Sequence, residues 1–267
     1  MDDIYSFRRY KASYTLVICT ATNITGDVLC ETTFGRIIGG RPVDIKHRPF
    51  MLSLHSIDGL VCGASILSRK WGITALHCLV AEGTTGYFVR AGSGKLYRGG
   101  SLHKLTKIHA YNGTAREYSE QLNMPYHDIA LFEVRPPFRF SSTVRAARLP
   151  RESSRPPRTL YVCGWGHTNN QSVATVSDLL MGVYVRYTPY ERCVNEAPEY
   201  KTLVKKEHHL CYGARGRDSC YGDSGGPLVS GNKIYGVVSF GHDCAVASGV
   251  YESISYYRRW IKRVTNL

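Results

Sequence analysis

Asp218-Ser219-Cys220-Tyr221-Gly222-Asp223-Ser224-Gly225-Gly226-Pro227-Leu228 is the stretch around which the rest of the chain is organised. Glycines on both sides of Ser224 let the backbone approach a ligand closely and enter turns closed to other residues. An acidic residue directly precedes the serine, and Cys220 can anchor the loop. A serine in a glycine-rich turn is ordinarily just a turn. Two further motifs raise this one: a histidine in Thr74-Ala75-Leu76-His77-Cys78 and an aspartate in His127-Asp128-Ile129-Ala130-Leu131. The order His, Asp, Ser along the chain is one of the known orders of a nucleophilic triad. The chemistry needs these residue types, because a serine hydroxyl is a weak nucleophile until a neighbouring base takes its proton.

Together the three motifs resemble a trypsin-like serine protease of the chymotrypsin family, and the likeness runs from Ile37 to the C-terminus. The resemblance implies that His77 acts as the base and Asp128 holds its imidazole, with Ser224 as nucleophile; these roles are carried over from the family. It also implies an oxyanion hole from the backbone amides of Gly222 and Ser224. A missing donor in such a hole typically lowers the rate by about 10²–10³. Ser239-Phe240-Gly241 resembles the substrate-binding strand, which pairs with an extended peptide as an added strand. Phe240 stands where tryptophan is commoner. Gly249 resembles the pocket-wall glycine that leaves room for a long side chain. Asp218, six residues before Ser224, matches the base of the primary pocket in trypsin-like members and implies cleavage after Arg and Lys. The family pattern further implies disulfides Cys62–Cys78, Cys193–Cys211 and Cys220–Cys244. Cys19, Cys30 and Cys163 have no family partner, and a Cys30–Cys163 tether is one arrangement open to them.

At the other end, Gly35-Arg36 precedes Ile37-Ile38-Gly39-Gly40. In the resembling family, cleavage after such a basic residue frees an ammonium that pairs with the aspartate before the nucleophile, here Asp223. A buried carboxylate is unfavourable until paired, so its partner can order the loops around it. Residues 22–36 read as a polar pro-segment. Residues 1–21 read as a signal peptide: Arg8-Arg9-Tyr10-Lys11 forms a basic region and residues 12–21 a short apolar one. Asp2 and Asp3 are out of place in it. Residues 37–267 then form the protease domain.

Composition agrees with an ordinary globular chain of 267 residues, long enough for a sizeable core. The nine cysteines suggest an oxidising, secreted and extracellular setting. The first 36 residues carry four basic and four acidic side chains, so the whole net charge of +13 falls on the remainder. Such a surface favours acidic partners, acidic glycans among them. No nucleic-acid motif accompanies the charge. The resemblance implies a monomer acting on protein or peptide substrates and answering to serine protease inhibitors. No cofactor or metal is implied: no acidic residue lies between Arg90 and Tyr111 to build a calcium loop, and His208-His209 reads as a solvated pair.

Short apolar alternations recur between turn signals, at Met51–Leu54, Gly86–Arg90, Ile129–Val134, Thr159–Val162, Gly182–Val185 and Lys233–Val238. Strands of this length and spacing suggest an all-β sandwich or barrel. The resemblance sharpens this to two six-stranded antiparallel β-barrels with the site between them and a crossover near residues 146–158. Ile254, Tyr257, Ile261 and Val264 recur at helical spacing and predict a C-terminal helix.

Three features depart from the family. Leu76 replaces the usual alanine beside His77 and could crowd it. Asp243 occupies a pocket-rim position that is commonly glycine, where it either reinforces cation preference or partly blocks entry. The segment between His109 and Asp128 is longer than usual, and its residues 115–120 could overhang the cleft. Asn23, Asn112 and Asn170 each open a glycosylation acceptor pattern. The alternative function, from a different class, is a non-catalytic homologue using the same fold as a binding module.

Overall fold

In the computed structural model the described residues are 18–19, 30–31, 39–79, 86–111, 118–119, 124–167, 176–213 and 216–267. The chain divides into a unit spanning Met1–Phe34 and a larger one spanning Gly35–Leu267. In the smaller unit, Ile18–Cys19 pairs antiparallel with Cys30–Glu31, setting Cys19 opposite Cys30.

The larger unit is built from two antiparallel barrels. In the first, β1 (Met51–Ser56), β2 (Gly59–Ile66), β3 (Trp71–Thr74), β4 (Phe88–Ala91), β5 (Ser101–Ala110) and β6 (Ala130–Arg135) close in the order β6-β3-β2-β1-β4-β5. Its interior holds Leu52, Leu54, Ala64, Ile66, Ile73, Val89, Ala91 and Leu131, each withdrawn from solvent. Burying apolar surface at about 25 cal/mol per Å² makes this interior the main stabilising term. In the second barrel, β7 (Thr159–Gly164), β8 (Met181–Thr188), β9 (His209–Gly213), β10 (Pro227–Ser230), β11 (Lys233–Phe240) and β12 (Gly249–Ser253) run in the order β7-β10-β11-β12-β9-β8. Pairing of β7 with β8 closes this barrel, and Arg41–Pro42 adds a short strand to the outside of β8.

Six of these strands fall on the alternations read from sequence. The others, such as β2 and β3, are interrupted by Gly63 and Gly72 and are buried along most of their length, so no polar face marks them. The helix over Ile254–Thr265 buries Ile254, Tyr257 and Ile261, as the spacing predicts, and adds Trp260. No helix among the described residues is long and apolar enough to cross a membrane.

Among the described residues, disulfides join Cys62 to Cys78, Cys193 to Cys211 and Cys220 to Cys244. Cys163 is a buried free thiol, so the Cys30–Cys163 tether considered from sequence is not formed. Burial pushes this thiol up to about 12, which keeps it protonated and inert.

Candidate active site

The two barrels meet along a seam that brings the Ser224 turn to β2 and β3. The Gly63 N–H donates to the Ser224 carbonyl at 2.8 Å. Gly225 sits at φ +75°, and a Cβ there would run into Thr74 Oγ1 and the Gly63 carbonyl. Only glycine lets the turn press this close.

His77 lies on the 3₁₀ turn Leu76–Leu79 that follows β3. Its backbone N–H donates to Asp128 Oδ1 at 2.8 Å, and its ring Nδ1 pairs with Asp128 Oδ2 at 2.7 Å. The carboxylate can only accept, so Nδ1 carries the proton and Nε2 keeps its lone pair. Burial alone would lower the imidazolium of His77. The charge and hydrogen bond of Asp128 outweigh it and hold the group above its ordinary value. Asp128 is buried and takes a third donor from the second barrel, Ser239 Oγ at 2.6 Å. The β11–β12 register shifts between Val238 and Phe240, a bulge that leaves Ser239 out of the ladder and re-aims its side chain. From sequence, Ser239 reads as substrate-binding backbone. Its side-chain bond to Asp128 is missed, because 111 residues separate the two.

Leu76 does not crowd the histidine. Its side chain is 3% exposed in the core of the first barrel, and His77 keeps both bonds to Asp128. His208 also departs from the solvated reading: it is buried, and its Nδ1 lies 3.2 Å from the fully buried Glu252.

His77 and Ser224 line a cavity of about 320 Å³ together with Asp218, Ser219, Ser239, Phe240, Gly241, Asp243 and Gly249. Asp218 is 3% exposed. The Ser219 backbone N–H donates to its Oδ1 at 2.8 Å. Burial nevertheless pushes the Asp218 carboxyl up to about 7. A Cβ added to Gly249 would lie 2.9 Å from Asp218 Oδ1. Asp243, exposed and with φ 41°, lines the same cavity. Gly222 sits at φ +90°, and neither its N–H nor that of Ser224 donates to a backbone carbonyl among the described residues. Asp223 is fully buried, with Gly166 N–H on Oδ1 at 2.8 Å and Cys220 N–H on Oδ2 at 3.0 Å. Arg36, Ile37, residues 1–17, most of 112–123 and the three glycosylation patterns lie outside the described residues.

Ser224 and His77 lining one acidic cavity at the seam of two antiparallel barrels fit a serine endopeptidase, a hydrolase of peptide bonds. Comparison with known proteins then gives the family. Residues 37–261 match the family model described as Trypsin, and the chain belongs to that family. It is 36% identical to Trypsin 5G1 of Aedes aegypti over 240 residues, covering 87% of this chain and 86% of that protein. It is 33% identical to Trypsin epsilon of Drosophila erecta over 250 residues, covering 93% and 94% of the two chains. Trypsin delta of the same fly is 34% identical over 251 residues, covering 92% and 95%. A non-catalytic binding module is not favoured by this company.

Proposed function

We propose that the protein is a secreted endopeptidase that cleaves after Arg and Lys, made as a zymogen and switched on by cutting Arg36–Ile37. The observation that carries this reading is the shared cavity: Asp218 is buried in it, while Ser224 and the part-exposed His77 line it. A cationic side chain entering the cavity meets a buried carboxylate that has no ion-pair partner among the described residues, whereas a neutral one leaves it so. Names of the relatives, trypsins of flies and a mosquito, point the same way.

In the reaction, Ser224 Oγ attacks the carbonyl carbon after the cationic residue as His77 Nε2 takes its proton. Asp128 holds the resulting imidazolium, and the free amides of Gly222 and Ser224 receive the oxyanion. His77 then gives its proton to the leaving amine, forming the acyl-enzyme. Water, activated by the same imidazole, releases the acid. The substrate chain lies along Ser239-Phe240-Gly241 as an added strand.

Activation acts through Asp223. Burial pushes its carboxyl up to about 6, and the salt bridges among the described residues include no cation on it. The new Ile37 ammonium supplies that partner. Residues 1–21 serve as the signal peptide and 22–36 as the pro-segment. Protease inhibitors would bind the same cavity as substrate. Acidic glycans would meet the exposed Arg259, Lys262 and Arg263 of the C-terminal helix.

Limited treatment with trypsin followed by an organophosphate tests the reading. Ser224 should be labelled only after cleavage, with Ile37 as the new N-terminus. Full activity with Arg36–Ile37 uncut would refute the activation mechanism, and absence of label on Ser224 would refute the nucleophile.

A further inference from the structure

Behind the His77–Asp128 pair stands a further ionisable group that the reaction scheme does not use. Glu252, on β12, is fully buried, and among the described residues four donors face its carboxylate. The Asp128 backbone N–H donates to Oε1 at 2.7 Å, and His209 Nε2 lies 3.4 Å from the same oxygen. The Tyr257 hydroxyl donates to Oε2 at 2.7 Å, and His208 Nδ1 lies 3.2 Å from it. Burial pushes the Glu252 carboxyl up, but His209 and His208 outweigh it and hold the group well below the usual carboxylate range.

Two histidines and a glutamate with ligand atoms within 4.8 Å of one another have the composition of a metal site. Their hydrogen bonding points elsewhere. The Lys205 N–H donates to His209 Nδ1 at 2.9 Å, which uses the single lone pair of a neutral imidazole. His209 Nε2 therefore carries a proton and faces Glu252 as a donor. The cluster is a cage of donors around one anion, and its one backbone donor is the peptide N–H of Asp128.

The cage also crosses the seam. Asp128 and His127 precede β6 of the first barrel, Glu252 and His209 lie on strands of the second, and Tyr257 is on the C-terminal helix. The Tyr257 hydroxyl, already donating to Glu252, accepts from His127 Nδ1 at 2.9 Å. Tyr111 packs edge-on against Tyr257 at 5.0 Å and against Trp260 at 5.6 Å, which fixes the tyrosine ring. An anion held this tightly sets the peptide plane of Asp128, and hence the direction in which its carboxylate leaves the backbone.

We propose that Glu252 is a positioning residue for the triad, holding the Asp128 peptide from behind so that its carboxylate meets both His77 and Ser239. The proposal rests on Asp128 being the acid of the triad. Its test uses activated protein with active sites counted by organophosphate titration. Glu252→Gln keeps the shape but leaves four donors facing one accepting oxygen and an NH₂ group. We expect kcat per titrated site to fall about tenfold or more with KM within about twofold, the pattern of a lost transition-state interaction. The low-field proton resonance of His77 Nδ1–H should shift or broaden with it. Where Glu252→Gln does not fold, Tyr257→Phe, which removes one donor, is read instead. It should change kcat and the resonance in the same direction by about a third to a half of that effect on a logarithmic scale. Wild-type kcat and an unmoved resonance in the variant read, even with a lowered Tm, would reduce Glu252 to a structural residue and overturn the proposal. A wild type lacking both the label on Ser224 and the low-field resonance would instead overturn the triad assignment, and the role of Glu252 with it.

Discussion

Ser239 Oγ donates to Asp128 Oδ2 at 2.6 Å, the same oxygen that pairs with His77 Nδ1. One oxygen thus collects a donor from each barrel, so the orientation of Asp128 depends on both. Ser239→Ala removes one of three donors to a buried carboxylate, a loss of roughly 1.5–3 kcal/mol for a hydrogen bond to a charged group. We expect kcat to fall by about tenfold to 150-fold on that scale. With less competition for its charge, Asp128 should hold the imidazolium of His77 more strongly. The acid limb of kcat/KM should therefore move to higher pH. An acid limb that moves to lower pH would show that the hydroxyl does not act on Asp128.

Gly249 shapes the cavity by what it lacks. A Cβ there would lie 2.9 Å from Asp218 Oδ1 and 3.3 Å from the Tyr251 hydroxyl. Gly249→Ala should leave a folded protein that still takes an organophosphate at Ser224. Its kcat/KM on an arginyl substrate should drop by about 10²-fold, the scale of a misplacement of roughly 1 Å. Retained kcat/KM would mean that substrate does not pass this wall.

The two buried aspartates make the protein sensitive to pH in a defined direction. Burial raises Asp218 from 3.8 to about 7 and Asp223 from 3.8 to about 6. A folded value above the unfolded one means that folding favours the protonated form. The stability these groups contribute is complete below about pH 4 and is lost as pH rises through about 6 and then about 7. The urea midpoint of the uncleaved protein should therefore contain a component falling over that window. Asp218→Asn should remove its upper part, near pH 7. The same logic governs ligand binding: benzamidine, a cation, should displace a proton from Asp218 when it binds near pH 6. Calorimetry in buffers of different ionisation enthalpy reads that proton release directly. Binding without it would place the cation elsewhere.

The legible part of this site is the part written in short stretches of sequence. His77, Asp128 and Ser224 each sit in a local motif, and Asp218 is fixed by its distance from Ser224. The C-terminal helix is legible for a similar reason, because Ile254, Tyr257 and Ile261 keep a period that survives without knowing the partner. The rest depends on contacts distant in sequence. Asp128 and Glu252 are 124 residues apart, and Asp128 and Ser239 are 111 apart. The bulge that turns Ser239 inward has no sequence sign of its own. A signal for Glu252 did exist: it is the one charged residue in the strand Gly249-Val250-Tyr251-Glu252-Ser253, every residue of which is buried. A charge in such a strand needs partners, and the adjacent histidines at 208 and 209 were candidates to supply them.

Profiling of the residue before the cleaved bond decides whether this serine endopeptidase reads its substrate through Asp218. Activated protein should be presented with peptide amides differing only at that residue. Arg and Lys should be cleaved, with Phe, Tyr and Ala far behind. Breaking a buried ion pair costs about 3–5 kcal/mol, which corresponds to roughly 10²–10⁴ in selectivity. Asp218→Ser should accordingly lose at least about two orders of magnitude in kcat/KM on the arginyl substrate while still taking an organophosphate at Ser224. A wild-type enzyme that prefers Phe, Tyr or Ala, or an Asp218→Ser variant that still prefers Arg, would contradict the account.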